Sequence, residues 1–396
     1  MTREEIYTAC LQAISMSDCL LLESATGTGK TKVSIDLVNN LCATKLKDRH
    51  VKMLLLVAKR VHKVTWREEF EKWGGVGAVE VITECYESLH KHLNEHFDIL
   101  LLDEAHHIGS EARLNYLKHI SFDYLIGLSA TIPKKLKTYF RYKYHSEVVS
   151  CDIIEAIEDE ILPEPEIVLF PLQVENSRMS ETIELNPKAK GPVVYGEYKD
   201  YWKLKRQKVH AILKCTQKQK LMDLDKTIEW YKTKAMSNPG MKQTWLYMCG
   251  KRLEFLADCK LGWVKMILKH LENERTITFC KTIEQCEEVG KNCIHSKNAM
   301  SSVIYNEFNK KEIDHITAVN ILNENANLVD CKYAIFCNLS SSEVCMPQRL
   351  GRSMRHKSPV IIIPYYPNTR EQEILEKYLE GFNKEFIRTI HSINEI

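Results

Sequence analysis

The stretch Ser24-Ala25-Thr26-Gly27-Thr28-Gly29-Lys30-Thr31 stands directly after an apolar run at 20–23 and before a helix-like run at 33–41. A strand, a loop of small residues and a helix in that order make a cradle for a polyphosphate. Small residues let backbone N–H groups approach the anion, and the start of the following helix adds a favourable dipole. In such a loop Lys30 would reach the β and γ phosphates of a nucleotide and the Thr31 hydroxyl would hold Mg2+. Thr26, Gly27, Thr28 and Gly29 would line the phosphates. Ser24 departs from the general pattern, which opens on glycine, and a residue this small still fits there.

Short apolar runs alternating with amphipathic stretches continue to about residue 131, with strands expected at 20–23, 51–57, 97–102 and 124–129. Runs without polar alternation are buried on both faces, as in a parallel sheet covered by crossover helices. The run Ile99-Leu100-Leu101-Leu102 leads straight into Asp103-Glu104-Ala105-His106. Two carboxylates therefore stand at the C-terminal end of a buried strand, where α/β sheets bind ligands. There Asp103 would orient Mg2+ and Glu104 would act as general base toward the attacking water.

Beyond this unit, 162–189 carries Pro163, Pro165, Pro171 and Pro187 and reads as a connector. Residues 201–271 are charged and periodic, broken at Asn238-Pro239-Gly240, which suggests a helical hairpin or insertion. A second strand and helix alternation runs through 276–280, 316–319, 333–336 and 360–363. The expected division is an α/β domain over 1–160, a connector and helical insertion over 161–270, and a second α/β domain over 271–396.

At 396 residues, 44% hydrophobic and 27% charged, the chain has material for two globular cores. A net charge of +2 excludes a polycation, so any nucleic-acid binding needs a local basic face. Fourteen cysteines occur without a Cys-x-x-Cys pair, which fits reduced, buried thiols rather than zinc or disulfides. No apolar run approaches the roughly 20 residues of a membrane span. These features lead us to expect no membrane association and a location in the cytoplasm.

Taken in order, Gly27-Thr28-Gly29-Lys30-Thr31, Asp103-Glu104-Ala105-His106, Ser129-Ala130-Thr131 and Gln348-Arg349-Leu350-Gly351-Arg352-Ser353-Met354-Arg355 look like motifs I, II, III and VI of superfamily-two helicases of the DEAH or DExH type. The resemblance covers nearly the whole chain apart from the helical insertion. It implies two RecA-like parallel-sheet domains in tandem, an α/β fold, with ATP and Mg2+ bound in the cleft between them. It also implies that His106, Ser129 and Thr131 link the nucleotide to domain closure. Gln348, Arg352 and Arg355 would approach the γ-phosphate, the arginines stabilising the charge that develops there.

Weaker matches place Lys59 and Arg60 in motif Ia, Thr83 in motif Ib, and Lys281 and Thr282 in motif IV. In the family these contact the nucleic-acid backbone without reading sequence. The cadence Gly-Arg-Ser-Met-Arg lacks the second glycine of RNA-unwinding DEAD-box proteins and resembles DNA-directed translocases of the phage, repair and restriction type. A bacterial or phage-infected cytosol follows from that resemblance. Arg3-Glu4-Glu5-Ile6 stands where relatives carry an adenine-reading glutamine, and Asn325 and Asn327 replace the Gly and Asp of motif V.

The function expected is therefore an ATP-dependent helicase or translocase acting on DNA rather than RNA. An ATP-gated clamp, or the motor subunit of a nuclease or restriction complex with a protein partner, is the alternative. Two basic and aromatic clusters, 134–144 and 195–208, are equally well explained as amphipathic helices.

Overall fold

A computed structural model of the chain describes residues 1–77, 79–185, 211–319, 328–340, 349–351, 354 and 356–396. They form two compact units, one holding residues 1–165 with the described parts of 322–332 and 341–359, the other holding the remaining described residues.

The first unit runs α1 (Arg3–Met16), β1 (Cys19–Ser24), α2 (Lys30–Thr44), β2 (Val51–Val57), α3 (Arg60–Lys72), β3 (Val79–Cys85), β4 (His96–Asp103), α4 (Glu111–Leu117), β5 (Ser121–Ser129), α5 (Lys134–Tyr144), β6 (Glu147–Cys151) and α6 (Ile153–Glu158). Its sheet has the order β3-β2-β4-β5-β1-β6, and every neighbouring pair is parallel. Leu20, Leu21, Leu22, Leu54, Leu55, Leu56, Leu100, Leu101 and Leu102 are all fully buried, which is why these strands read as unbroken apolar runs. Gly127 sits mid-sheet because a Cβ there would lie 2.7 Å from Leu21 Cδ2 and 3.3 Å from the Ala105 Cβ. α1 starts on a capping box, in which Glu5 N donates to Thr2 Oγ1 and Thr2 N donates to the Glu5 carboxylate.

The second unit contains β7 (Glu166–Pro171), β8 (Glu181–Leu185), β9 (Ala211–Cys215), α7 (Gln217–Ser237), α8 (Lys242–His270), β10 (Thr276–Phe279), α9 (Ile283–Val289), β11 (Cys293–Ile294), α10 (Ser301–Asn309), β12 (His315–Ala318), β13 (Tyr333–Phe336), β14 (Val360–Tyr365), α11 (Arg370–Tyr378) and β15 (Ile387–Thr389). The seven-stranded sheet has the order β11-β12-β10-β13-β14-β7-β15, again wholly parallel. β8 and β9 form a separate antiparallel pair. Two parallel-sheet α/β units with a helical hairpin in the chain between their main strand runs are the tandem RecA-like fold expected from the sequence.

One part of the expectation is corrected. The proline-marked stretch is not all connector, because Ile167-Val168-Leu169-Phe170 is a strand of the second sheet, between β14 and β15. Pro163 and Pro165 precede it and Pro171 closes it, so the prolines bracket the strand rather than interrupt it.

The break at 238–240 is a turn in which Gly240 N donates to Asn238 Oδ1 at 3.1 Å, and α7 and α8 pair on either side of it. No residue of 229–252 is buried. From Leu253 onward α8 changes character. Leu256, Ala257, Leu261, Val264, Ile267 and Leu268 are buried at helical spacing in the core of the second unit.

That core also holds an ion pair. Lys260 Nζ donates to Glu371 Oε1 at 2.6 Å and to Pro364 O at 3.1 Å, Tyr366 N donates to Glu371 Oε2, and both charged side chains are fully buried. Removing one partner strands a charge in an apolar setting, so Glu371→Ala is expected to destabilise this unit by about 3–5 kcal/mol. Lys260→Met combined with Glu371→Leu should recover most of the loss. Denaturant unfolding of the three proteins checks both statements.

The described cysteines are all free thiols and most are buried. Burial pushes the thiols of Cys10 and Cys19 up to about 12. Among the described residues no helix is long and apolar enough to cross a membrane.

Candidate nucleotide site

The phosphate loop joins β1 to α2. Gly27 and Gly29 have φ of 104° and 98°, a region glycine enters without steric cost. Gly29 is the N-cap of α2, so Lys30 opens the helix and Thr31 lies in its first turn, half-buried. The loop is braced by its own hydroxyls. Ser24 Oγ and Thr28 Oγ1 are 2.6 Å apart, Thr28 Oγ1 donates to Ala25 O at 2.8 Å, and Ala25 N donates to Cys151 O on β6 at 2.9 Å. Ser24 is thus more than a tolerated replacement for glycine, since its hydroxyl closes the loop on Thr28.

Two features of the loop fit a polyanion. Lys30 Nζ donates to Ser24 O at 2.7 Å and Ala25 O at 3.0 Å, which keeps the ammonium folded over the loop. Thr26 Oγ1 is buried with no hydrogen-bond partner among the described residues, an arrangement that costs free energy until a partner arrives. The chain at Gly351 packs onto the same loop. A Cβ on Gly351 would fall 2.7 Å from Thr26 O, so only glycine permits the approach.

The acidic pair ends β4. Register places Asp103 opposite Leu128 on β5, and Ser129 opposite Glu23 on β1. At about 4.8 Å per strand, the carboxylates and the phosphate loop stand about 10 Å apart at the same sheet edge. Asp103 and Glu104 are both buried. Asp103 is held twice, with Trp66 Nε1 donating to Oδ2 at 2.8 Å and the Tyr86 hydroxyl donating to its carbonyl at 2.9 Å. Burial, with Asp103 and Glu104 nearby, drives the Tyr86 phenol well above its ordinary value and keeps it a donor.

Glu104 takes φ 50°, ψ 58°, a left-handed conformation that turns the chain out of the strand. For a residue with a side chain this costs roughly 1–2 kcal/mol, a strain typical of functional sites. Its Oε2 lies 3.4 Å from Ser129 Oγ and 3.5 Å from His106 Nδ1. Ser129 Oγ is also 2.8 Å from Thr131 O and 3.0 Å from His106 Nδ1. A hydroxyl has one proton. Given to Thr131 O, the shorter contact, it leaves Ser129 Oγ to accept from His106, which assigns the His106 proton to Nδ1. His106, Ser129 and Thr131 are therefore brought together around Glu104.

Other expected residues fare differently. Lys59 is the N-cap of α3 and Arg60 begins it, exposed; Thr83 is half-buried on β3. Lys281 and Thr282 are committed locally. The Lys281 ammonium donates to Gly250 O, burial pulls its pKa down, and Thr282 caps α9 by accepting from Gln285 N at 3.2 Å. Gln348, Arg352 and Arg355, the motif V residues 320–327 and the cluster at 195–208 lie outside the described residues.

Among the described residues, the three-donor group that could hold a cation is His96, Asp98 and Asp123, at the other end of β4 from Asp103. Trp66 and Tyr86 escaped the sequence reading. The available signal was a lone indole in a helix otherwise dominated by charge, at 60–72.

Known proteins give a matching picture. Residues 3–134 fit the family profile described as type III restriction enzyme, res subunit, and residues 259–357 fit that of the helicase conserved C-terminal domain. No curated protein matches the chain. Among solved structures, a single-substitution variant of S. cerevisiae Dbp5 bound to RNA and ADP BeF3 aligns with TM-score 0.62 at 11% identity, over 99% of this chain and 91% of that one. The ATP-dependent type ISP restriction-modification enzyme LlaBIII bound to DNA aligns with TM-score 0.57 at 14% identity, over 99% of this chain but 31% of that one. A fragment of a putative HsdR subunit of a type I restriction enzyme from Vibrio vulnificus YJ016 aligns with TM-score 0.58 at 16% identity, over 98% and 68%.

At these identities the structures establish the tandem fold. The two profiles, in this order on one chain, support a superfamily-two helicase, of the ATP-dependent motor kind found in helicases and restriction enzymes. Such families use ATP with Mg2+ and act on nucleic acid.

Proposed function

We propose that this chain is an ATP-dependent helicase or translocase that moves on DNA. The observation that carries the proposal is the juxtaposition at one sheet edge of a braced phosphate loop and a strained, buried Glu104 tied to His106 and Ser129. Lys30 grips the β and γ phosphates. Thr31 and Asp103 hold the cation, whose charge offsets that of the phosphates when it is bound. Glu104 takes the proton of the attacking water, and the Glu104, His106 and Ser129 cluster senses whether the γ-phosphate is present. Gln348, Arg352 and Arg355 complete the charge stabilisation. Lys59, Arg60 and Thr83 contact the strand backbone. The motif resemblance gives Lys281 and Thr282 the same role, although Lys281 already donates to Gly250 O and Thr282 already caps α9.

DNA is preferred over RNA because the first profile is that of a restriction enzyme subunit and the arginine motif lacks the DEAD-box cadence. Steady-state ATPase measured with single-stranded DNA, duplex DNA, branched DNA and RNA is expected to rise at least severalfold with a DNA substrate and less with RNA. Turnover indifferent to all four would sink the motor reading. Stimulation without strand displacement would favour a translocase or an ATP-gated clamp, the latter motivated by the altered motif V, while a partner co-eluting on purification would point to a motor serving a nuclease.

A further inference from the structure

Trp66 belongs to none of the helicase motifs. It lies on the second turn of α3, is 2% exposed, and its Nε1 donates to Asp103 Oδ2 at 2.8 Å. A buried indole must place its single N–H on some acceptor. Here the acceptor is a carboxylate oxygen at the end of β4, and the bond is charge-assisted, shorter and stronger than one to a neutral carbonyl.

It sets the rotation of the carboxylate about its Cβ–Cγ bond. The Tyr86 hydroxyl, on the carbonyl of the same residue, fixes the main chain. The indole is itself held. Phe70 packs against it with ring centroids 5.5 Å apart, and Lys63, one turn earlier on α3, pairs with Glu84 of β3 at 3.1 Å. The helix is thus pinned on both sides of the indole, and the N–H has little freedom to turn elsewhere.

We propose that Trp66 is a positioning residue for the nucleotide-bound cation: it orients Asp103 without touching nucleotide or cation. The inference rests on the reading of Asp103 as the carboxylate that holds Mg2+. Partners that orient a metal-holding side chain carry about 10–100-fold of the metal's affinity. Trp66 should therefore govern how strongly Mg2+ tightens nucleotide binding, and should leave cation-free binding alone.

The test measures binding of N-methylanthraniloyl-ADP by fluorescence, with EDTA and across a Mg2+ titration. In Trp66→Phe the affinity in EDTA should stay within about twofold of wild type, while the Mg2+-linked tightening falls about tenfold. In an Asp103→Asn background the same substitution should add nothing, because the group it orients has gone. Should Trp66→Phe fail to fold, benzothienylalanine at position 66 keeps the shape of the indole and removes only the N–H, and the same loss is expected. Equal Mg2+-linked tightening in wild type and variant, or an undiminished effect of Trp66→Phe in the Asp103→Asn background, overturns the proposal. A wild-type chain that binds the probe identically with and without Mg2+ refutes the underlying reading of Asp103 and the proposal with it.

Discussion

Lys30→Ala is expected to lower ATP turnover by about a hundredfold to a thousandfold, the scale set by losing one preorganised charge at a reacting phosphate. The lysine has a dedicated place. It opens α2 directly after the left-handed Gly29, and its ammonium rests on Ser24 O and Ala25 O at 2.7 and 3.0 Å. Those carbonyls hold it by hydrogen bonds of modest net worth, whereas the phosphates of ATP offer several negative oxygens within reach of the same side chain. Alanine removes the charge and leaves the two carbonyls without the ammonium that now donates to them, so nucleotide affinity should fall together with turnover. Phosphate release and nucleotide binding measured side by side check this. Turnover within tenfold of wild type would mean that the loop is not the phosphate site.

Glu104→Gln should separate binding from chemistry. Glutamine matches glutamate in size, adopts the same left-handed backbone at similar cost and can still meet Ser129 and His106, so the fold of the site and the affinity for ATP should change by only a fewfold. What it cannot do is accept a proton from water. General-base catalysis is worth about 100- to 10,000-fold, and hydrolysis should fall within that range. A single-turnover experiment with pre-bound ATP reads the chemical step directly. If the chemical step proceeds at the wild-type rate, Glu104 is a structural carboxylate and another group activates the water.

Much of this was legible in the residues. The strands at 51–57 and 333–336 match the expected spans outright, and the others agree to within about three residues at their ends. Fully buried parallel strands leave a signal of unbroken apolar character that few other structures produce. The loop between β1 and α2 and the place of Asp103-Glu104 at the end of β4 were equally plain, since each follows from particular residue types at fixed offsets.

What stayed hidden had one physical cause in several forms. β7 looked like a linker because its prolines dominate the local composition, and only its partners β14 and β15, about 190 or more residues away in sequence, reveal it as a strand. Trp66 and Asp103 are 37 residues apart, and no spacing rule joins them. Lys281 and Thr282 look available for a ligand until the Gly250 carbonyl and the α9 amides claim them. Contacts between distant segments decide these cases, and one chain carries no local trace of them.

The position of β7 bears on how the polypeptide matures. In the second sheet it lies between β14 and β15, strands made of residues 360–365 and 387–389. All six strands of the first sheet come from residues 19–151, so on the ribosome that sheet can close as soon as those residues have emerged. β7 follows at once, but both of its neighbours come about 190 or more residues later in the chain. Its two edges of main-chain donors and acceptors remain open while the residues up to β14 are added, and an open apolar strand is the kind of segment that chaperones shield and that pairs wrongly when they do not. Pro165 directly before the strand and Pro171 at its end have no N–H to offer a ladder, which limits the edge left open in the meantime.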